Sequence, residues 1–131
     1  MEAPIKNYMT EQPHAIGPGE TLAKARDMMI KFGIRHLPVR AHRKVIGIIS
    51  NRDFELINLY PDMDLKHSKV EELMLQDVYS VGVETPLHQV VMEMAERKIG
   101  AALIVDNREE LLGIFTAIDG LRLLSKVYSA D

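Results

Sequence analysis

The chain repeats itself at about half its length, and this repeat constrains the fold more than any other feature of the sequence. The register holds at a spacing of 65 residues and, after one additional residue in the second copy, at 66. The matching pairs are Met9 with Met74, Leu22 with Leu87, Met29 with Met94, Ile34 with Ile99, Gly47 with Gly113, Ile48 with Ile114 and Asp53 with Asp119. One copy of about 60 residues is marginally stable alone, whereas two copies can bury a shared core. The sequence therefore predicts a duplicated fold.

Each copy shows the same order of hydrophobic patterns. After a leading segment and a short strand, apolar residues recur at i, i+3 and i+4 from Leu22 and again from Leu87, which is typical of an amphipathic helix. Two apolar runs separated by a polar turn then favour a hairpin, and a second helix closes the copy. The predicted hairpin strands are His36–Val39, Val45–Ser50, Ala101–Val105 and Leu111–Thr116, and the predicted closing helices are Arg52–Tyr60 and Ile118–Tyr128. The predicted fold class is α/β (α+β), with two tandem βαββα repeats packed with pseudo-two-fold symmetry.

Glycine and proline set the expected boundaries of these elements. Gly33 is placed to end the first helix. Pro86 is placed in the first turn of the corresponding helix, after Thr85 as its cap. Pro61 ends the first copy, because the residue before a proline disfavours helical backbone. We therefore divide the chain into a first copy (1–61), a linker (62–69) and a second copy (70–131).

Composition and charge argue against several classes of protein. The formal net charge is −3, whereas a nucleic-acid binder would carry a basic face. No apolar run approaches the ~18 residues that span a bilayer, and residues 1–10 contain no apolar signal-peptide core. The expectation is a cytoplasmic protein with no membrane span and no nucleic-acid partner.

Motifs of catalysis and metal binding are missing from the sequence. The chain has no cysteine, and its five histidines lack the H-x-x-x-H spacing of a zinc site. Neither the P-loop pattern nor G-x-G-x-x-G occurs. We expect no catalytic residues, no metal site, no required cofactor and no enzymatic activity.

Several runs in the two copies resemble those of a tandem pair of cystathionine-β-synthase-type (CBS) domains, a Bateman module. In the first copy they are Tyr8-Met9-Thr10, Gly33-Ile34-Arg35-His36-Leu37-Pro38-Val39 and Val45-Ile46-Gly47-Ile48-Ile49-Ser50-Asn51-Arg52-Asp53. In the second copy they are Leu73-Met74, Ile99-Gly100-Ala101-Ala102-Leu103-Ile104-Val105-Asp106 and Leu112-Gly113-Ile114-Phe115-Thr116-Ala117-Ile118-Asp119. The resemblance covers almost the whole chain. It implies a stand-alone regulatory module that binds adenosine-type nucleotides, foremost AMP, ADP or ATP, in clefts between the copies.

The resemblance also implies partners. Modules of this kind form homodimers that are flat discs of four CBS motifs, and they regulate an effector protein, here an unknown one supplied in trans. The alternatives are a ligand-independent dimerisation and docking module, or a sensor of S-adenosylmethionine, NAD or a cyclic dinucleotide.

Both copies place a hydroxyl residue three positions before an aspartate, where a strand ends and a helix begins. The pairs are Ser50 with Asp53 and Thr116 with Asp119. This spacing is typical of a capping box, which needs no ligand to explain it. In CBS pairs the aspartate typically holds a ribose and the hydroxyl residue lies beside it, so the resemblance implies that all four residues bind ribose. The two interpretations are compatible.

The resemblance further implies that three basic residues of the first copy bind phosphate. They are Arg35, His36 and Arg52, whereas the aligned residues Gly100, Ala101 and Ile118 are uncharged. In the family, a nucleotide anchored by one copy tends to reach basic residues of the other. We therefore expect the site anchored by Thr116 and Asp119 to be the better equipped. The alternative is that the two arginines are ordinary surface charges.

Adenine would need an apolar slot, and the resemblance points to residues near the first strand and the hairpin of each copy. The candidates are Ala15, Ile16, Val39, Ser80, Val81 and Ile104. For each of them, plain core packing is the alternative interpretation.

Overall fold

Residues 3–129 are described in a computed structural model, which divides the chain into two compact units. The first unit is His14–Val78, and the second combines the residues up to Pro13 with those from Tyr79 onward. The units therefore differ from the sequence copies, since the leading segment of each copy belongs to the unit built mainly from the other copy. The predicted division of the sequence into copies, at residues 61 and 70, describes the repeat and not these units. It stays a prediction.

Both units contain helices that follow short strands and hairpins. The first unit contains α1 (Leu22–Phe32), β2 (His36–Ala41), β3 (Lys44–Ser50), α2 (Asn51–Glu55), a 3-10 helix (Ile57–Leu59) and α3 (Val70–Leu73). The second unit contains a 3-10 helix (Ile5–Asn7), β1 (Thr10–Glu11), β4 (Ser80–Val81), α4 (Leu87–Arg97), β5 (Ala101–Val105), β6 (Leu111–Thr116) and α5 (Ala117–Val127). Among the helices of residues 3–129, none combines the length and the apolar character that a bilayer crossing requires.

The second unit has a four-stranded sheet in the order β1-β6-β5-β4. The hairpin β5–β6 is antiparallel, β1 adds antiparallel to β6, and β4 adds parallel to β5. The first unit repeats this order around the hairpin β2–β3, with single bridges in place of the outer strands. Ile16 pairs parallel to Val39, and Leu75 pairs antiparallel to Ile48. The duplicated α/β fold is thereby confirmed.

Each sheet packs against the helix that precedes its hairpin. In the first unit, Leu22, Ala25 and Met29 of α1 lie in a core with Leu37 and Ile49. In the second unit, Val90 and Met94 of α4 lie in the corresponding core, together with Ala102 and Phe115 among others. The buried positions are those that the helical period predicts, because one stripe of each helix faces the sheet.

Two of the expected helix boundaries are wrong. Pro86 is itself the N-cap of α4, with extended backbone, and does not lie in the first turn. The predicted helix Arg52–Tyr60 ends at Glu55 and continues only as a 3-10 turn, and Tyr60 is extended as Pro61 requires. Gly33 ends α1 as predicted, with a φ of 63° in the left-handed region.

The first hairpin is longer than predicted. β2 extends to Ala41 and β3 begins at Lys44, so that only His42 and Arg43 form the turn. Both turn residues have positive φ, 53° and 72°. Such a two-residue turn matches the twist of paired strands and lets their pairing continue to its edge.

Candidate functional site

The end of β3 and the start of α2 form a compact polar corner in the first unit. The Ser50 N–H donates to Asp53 Oδ2 at 2.7 Å, and Ser50 Oγ lies 3.1 Å from the same oxygen. The Asn51 N–H donates to the carbonyl of Arg35 at 2.9 Å, which ties the start of β2 to the same corner. His36 pairs with Ser50 in the ladder between the two strands. The predicted residues of the first copy are thus brought together.

The second unit repeats this corner between β6 and α5. The Thr116 N–H donates to Asp119 Oδ2 at 2.8 Å, and the Asp119 N–H donates to Thr116 Oγ1 at 3.2 Å. The Ala117 N–H donates to the carbonyl of Gly100 at 2.9 Å. The capping interpretation is therefore confirmed as geometry, because a hydroxyl and a carboxylate satisfy free N–H groups at the helix start.

Each capping aspartate uses one carboxylate oxygen and leaves the other. In both corners the cap engages Oδ2. Within residues 3–129, Oδ1 of Asp53 and of Asp119 accepts no hydrogen bond, and both side chains are half-buried. A carboxylate oxygen in this setting can accept hydrogen bonds from hydroxyl groups of a ligand, as acidic residues do with ribose in dinucleotide folds. Ribose binding by the four corner residues stays a prediction.

Three basic residues of the first unit belong to the segments that meet at the first corner. Arg35 and Arg52 are exposed, and across the described part of the chain neither side chain has an ion pair or hydrogen bond. His36 is half-buried. At the equivalent corner, Gly100 and Ala101 offer no charge, and Ile118 is 39% exposed. Phosphate binding by Arg35, His36 and Arg52 stays a prediction.

Burial determines the protonation of His36. Desolvation lowers the pKa of its imidazole, the positive charge of Arg35 lowers it further, and the Asp53 carboxylate opposes both. Because the lowered pKa lies below the usual value of ~6.5, His36 is neutral at pH 7. In this form it can serve an anion as a single N–H donor, with the full charges coming from the arginines.

The pKa of His36 gives a stability prediction. Because the unfolded chain takes up this proton more readily, the free energy of unfolding is expected to fall as the pH is lowered through about 6.5. The His36→Gln variant should lose part of this dependence, measured by urea denaturation at several pH values from about 7.5 to 5.5. An unchanged pH slope in the variant would show that the imidazole titrates as in the unfolded chain.

The adenine candidates differ in exposure. Ile16, Val39 and Ile104 are buried in the cores of their units, at 4%, 0% and 0% exposure. Ala15 and Val81 are half-buried, and Ser80 is exposed. The structure thus favours core packing for the three buried residues, and the contribution of all six to an adenine slot stays a prediction.

One feature of the second unit has no counterpart among the predicted site residues. The helices α4 and α5 enclose an apolar groove of about 550 Å³. The sequence signal for it is the run of apolar residues on α5, which includes Leu121, Leu124 and Val127 at helical spacing. That pattern predicts an apolar stripe but does not show that the stripe stays exposed.

Comparison with known proteins agrees with the duplicated architecture. The CBS domain family matches residues 5–57 and again residues 70–126. The chain belongs to the CBS domain family. Members of this family act as regulatory modules. The match covers both corners and both hairpins.

Proteins of known sequence and structure place the chain among CBS pairs. The uncharacterized protein MJ1225 of Methanocaldococcus jannaschii is 30% identical over an alignment of 129 residues, which covers 90% of this chain and 46% of that protein. The L-aspartate semialdehyde sulfurtransferase of the same organism is 28% identical over an alignment of 127 residues, which covers 94% of this chain and 24% of the enzyme. The chain thus spans less than half the length of these curated relatives.

Two solved structures superpose along almost the whole chain. A protein of Vibrio cholerae named for acetoin utilization (AcuB) has a TM-score of 0.87 at 28% identity, over 97% of this chain and 93% of its own. The CBS domain pair of the protein MJ0100, in complex with 5′-methylthioadenosine and S-adenosyl-L-methionine, has a TM-score of 0.83 at 25% identity, over 97% and 99%.

Proposed function

We propose that this chain is a regulatory module that binds an adenosyl ligand through Asp53 and Asp119. The observation that carries the proposal is the repeated corner, in which the cap engages one carboxylate oxygen and leaves the other to accept hydroxyl groups. The CBS domain pair of MJ0100, bound to two adenosyl compounds, supports the ligand class. Ser50 and Thr116 hold the two carboxylates in position.

Among adenosyl ligands, we propose a nucleotide with phosphate groups, foremost AMP, ADP or ATP. Arg35 and Arg52 are exposed cations without a partner in residues 3–129, and His36 lies beside them. Guanidinium groups bind phosphate through two parallel N–H donors. S-adenosylmethionine carries a sulfonium and an ammonium beside its single carboxylate, whereas AMP, ADP and ATP carry only negative charge at their phosphates, so charge favours a nucleotide. S-adenosylmethionine, 5′-methylthioadenosine, NAD and cyclic dinucleotides are the alternatives.

The ligand class is tested by a thermal-shift panel followed by calorimetry. A ligand at about 100 times its dissociation constant stabilises the folded chain by ~2.7 kcal/mol. We expect AMP, ADP or ATP to raise the melting temperature, and S-adenosylmethionine and 5′-methylthioadenosine to raise it less. Guanosine nucleotides serve as the control with equal charge. A larger shift with S-adenosylmethionine would contradict the phosphate argument, while keeping the adenosyl class.

A second candidate function is assembly without a ligand. It is favoured by the exposed apolar residues of α5, Leu121, Leu124 and Val127, which are 53–66% exposed. In this alternative the chain dimerises and docks on an effector protein in trans whether or not a nucleotide is present. No shift with any compound of the panel would favour it. In either case we propose that the working form is a homodimer.

A further inference from the structure

The turn of the first hairpin carries the densest positive charge in the chain. Residues 40–44 read Arg-Ala-His-Arg-Lys, on a chain whose formal net charge is −3. Arg40, His42, Arg43 and Lys44 are all exposed. Among the described residues, none of these four side chains has an ion pair or a hydrogen bond. The charge of residues 40–44, which we call the basic tip, is therefore open to an external partner.

Arginine is an unfavourable residue for the backbone conformation of this turn. Arg43 has a φ of 72° and His42 has a φ of 53°. A two-residue turn with positive φ at both positions favours Asn-Gly, because glycine adopts this region without steric strain. Histidine tolerates the region better than arginine does. Arg43 therefore costs conformational free energy that its side chain does not recover in contacts with the described residues, and such strain is typical of functional positions.

The equivalent turn of the second unit satisfies its own polar groups. Residues 106–110 read Asp-Asn-Arg-Glu-Glu, at the repeat spacing of 66. Asp106 Oδ1 accepts the N–H groups of Arg108 and Glu110, at 2.8 Å and 3.0 Å. An aspartate that bonds the backbone in this way holds a turn without help from a partner. The duplicated fold thus does not require a basic turn, and the basic tip distinguishes the first unit from the second.

The basic tip lies at the far end of its hairpin from the candidate nucleotide site. His36 pairs with Ser50 at the corner, and Ala41 pairs with Lys44 at the turn. Because a strand rises ~3.3 Å per residue, the two ends of β2 are about 17 Å apart. The first unit can therefore bind a partner at the tip and a nucleotide at the corner, and neither assignment rests on the other.

We infer that the basic tip binds an acidic segment of a partner protein. Arg40, Arg43 and Lys44 lie within one turn and its flanking residues, which suits a short run of carboxylates. A nucleic acid would need a broader basic face, and the acidic remainder of the chain would repel it. A turn that binds membranes would add large apolar side chains, whereas the one uncharged residue of the basic tip is Ala41.

Fluorescence anisotropy with two labelled peptides tests the inference on the full chain. One peptide alternates glutamate with serine, and the other has glutamine in place of glutamate. We expect the acidic peptide to bind and the neutral one not to bind, with an affinity that falls as salt is added. The double variant Arg40→Gln and Lys44→Gln should bind the acidic peptide about tenfold or more weakly, since it loses two charge-assisted contacts.

A matched double variant controls for overall charge. Arg26→Gln and Arg108→Gln remove the same charge at exposed positions outside the basic tip, and this variant should bind the acidic peptide as the wild-type chain does. Equal losses in the two double variants would reduce the effect to net charge and overturn the inference. The absence of binding by the wild-type chain would overturn it as well.

The variant Arg43→Gly separates binding from folding. Glycine removes the guanidinium and relieves the strained φ, so the affinity for the acidic peptide should fall several-fold while the urea midpoint rises. A purely structural arginine would instead give a lower midpoint. A lower midpoint with unchanged affinity would show that Arg43 serves the fold, and it would contradict the binding role.

Other partners are tested with the double variant Arg40→Gln and Lys44→Gln. A single-stranded oligonucleotide, or vesicles of phosphatidylcholine with phosphatidylglycerol, replaces the acidic peptide. Tighter binding of either probe than of the peptide, lost in the variant, would overturn the assignment to a protein segment. Self-association of the wild-type chain that the variant loses, measured by sedimentation velocity, would assign the tip to a second copy and overturn it too. Thermal shifts with AMP or ATP should be unchanged in the variant, so failure of this inference is distinguishable from failure of nucleotide binding.

Discussion

Replacing Gly113 with alanine is expected to lower the free energy of unfolding by about 2–3 kcal/mol. A Cβ at this position would lie 3.0 Å from the carbonyl oxygen of Thr10 and closer still to the side chain of Met9. The oxygen cannot move away without cost, because Thr10 and Glu11 pair with Ile114 and Gly113 in the sheet. Either the β1–β6 pairing is lost or the strands are forced apart.

The repeat supplies a matched variant, and the same unit supplies a control. At Gly47 of the first unit, a Cβ would lie 2.7 Å from Met74 Sδ and 3.0 Å from the carbonyl oxygen of Leu75. We expect Gly47→Ala to destabilise by a similar amount. Gly82→Ala meets no atom within 4 Å and should be nearly neutral. Urea denaturation of the three variants measures these changes in the free energy of unfolding, and equal midpoints for all three would contradict the steric argument.

These two glycines show what the repeat could and could not predict. Their alignment identifies Gly47 and Gly113 as equivalent, and the strands Ala101–Val105 and Leu111–Thr116 are found at their predicted bounds. Local hydrophobic pattern determines those features. Nothing local shows that residues 10–11 pair with β6 or that Leu75 pairs with Ile48, since these contacts join segments distant in sequence. The exchange of leading segments between the units was therefore beyond sequence analysis.

The same distinction applies to the candidate site. The capping boxes at Ser50 and Thr116 were predictable, because a hydroxyl and an acid three residues apart suffice to form them. It was not predictable that one oxygen of each aspartate stays unused, because this depends on which groups surround the carboxylate. Nor could the sequence show that Val39 and Ile104 are fully buried. Nor could the sequence show that α2 ends at Glu55 and continues only as a 3-10 turn, because Pro61 restricts only the residue before it.

The Asp119→Asn variant is expected to lose about 10- to 100-fold in affinity for the adenosyl ligand, while unfolding at nearly the wild-type denaturant concentration. Asparagine keeps one carbonyl oxygen to accept the Thr116 N–H, so the cap survives. The second oxygen becomes an amide that donates, and it can no longer accept a ribose hydroxyl as a charged group does. Loss of a charge-assisted hydrogen bond costs ~1.5–3 kcal/mol, which corresponds to the expected range.

Thr116→Val is the matched control, because it removes the acceptor of the Asp119 N–H and leaves the carboxylate. It should lower stability by about 1 kcal/mol and reduce ligand affinity less than Asp119→Asn. The Asp53→Asn variant tests the prediction that Asp119 contributes more to nucleotide affinity than Asp53 does, by calorimetry with AMP and ATP. We expect a larger loss of affinity from Asp119→Asn than from Asp53→Asn, and equal losses would contradict this prediction. Unchanged affinity in both asparagine variants would leave the two aspartates with capping alone, because the substitution removes both the charge and the free acceptor oxygen that a ligand would use.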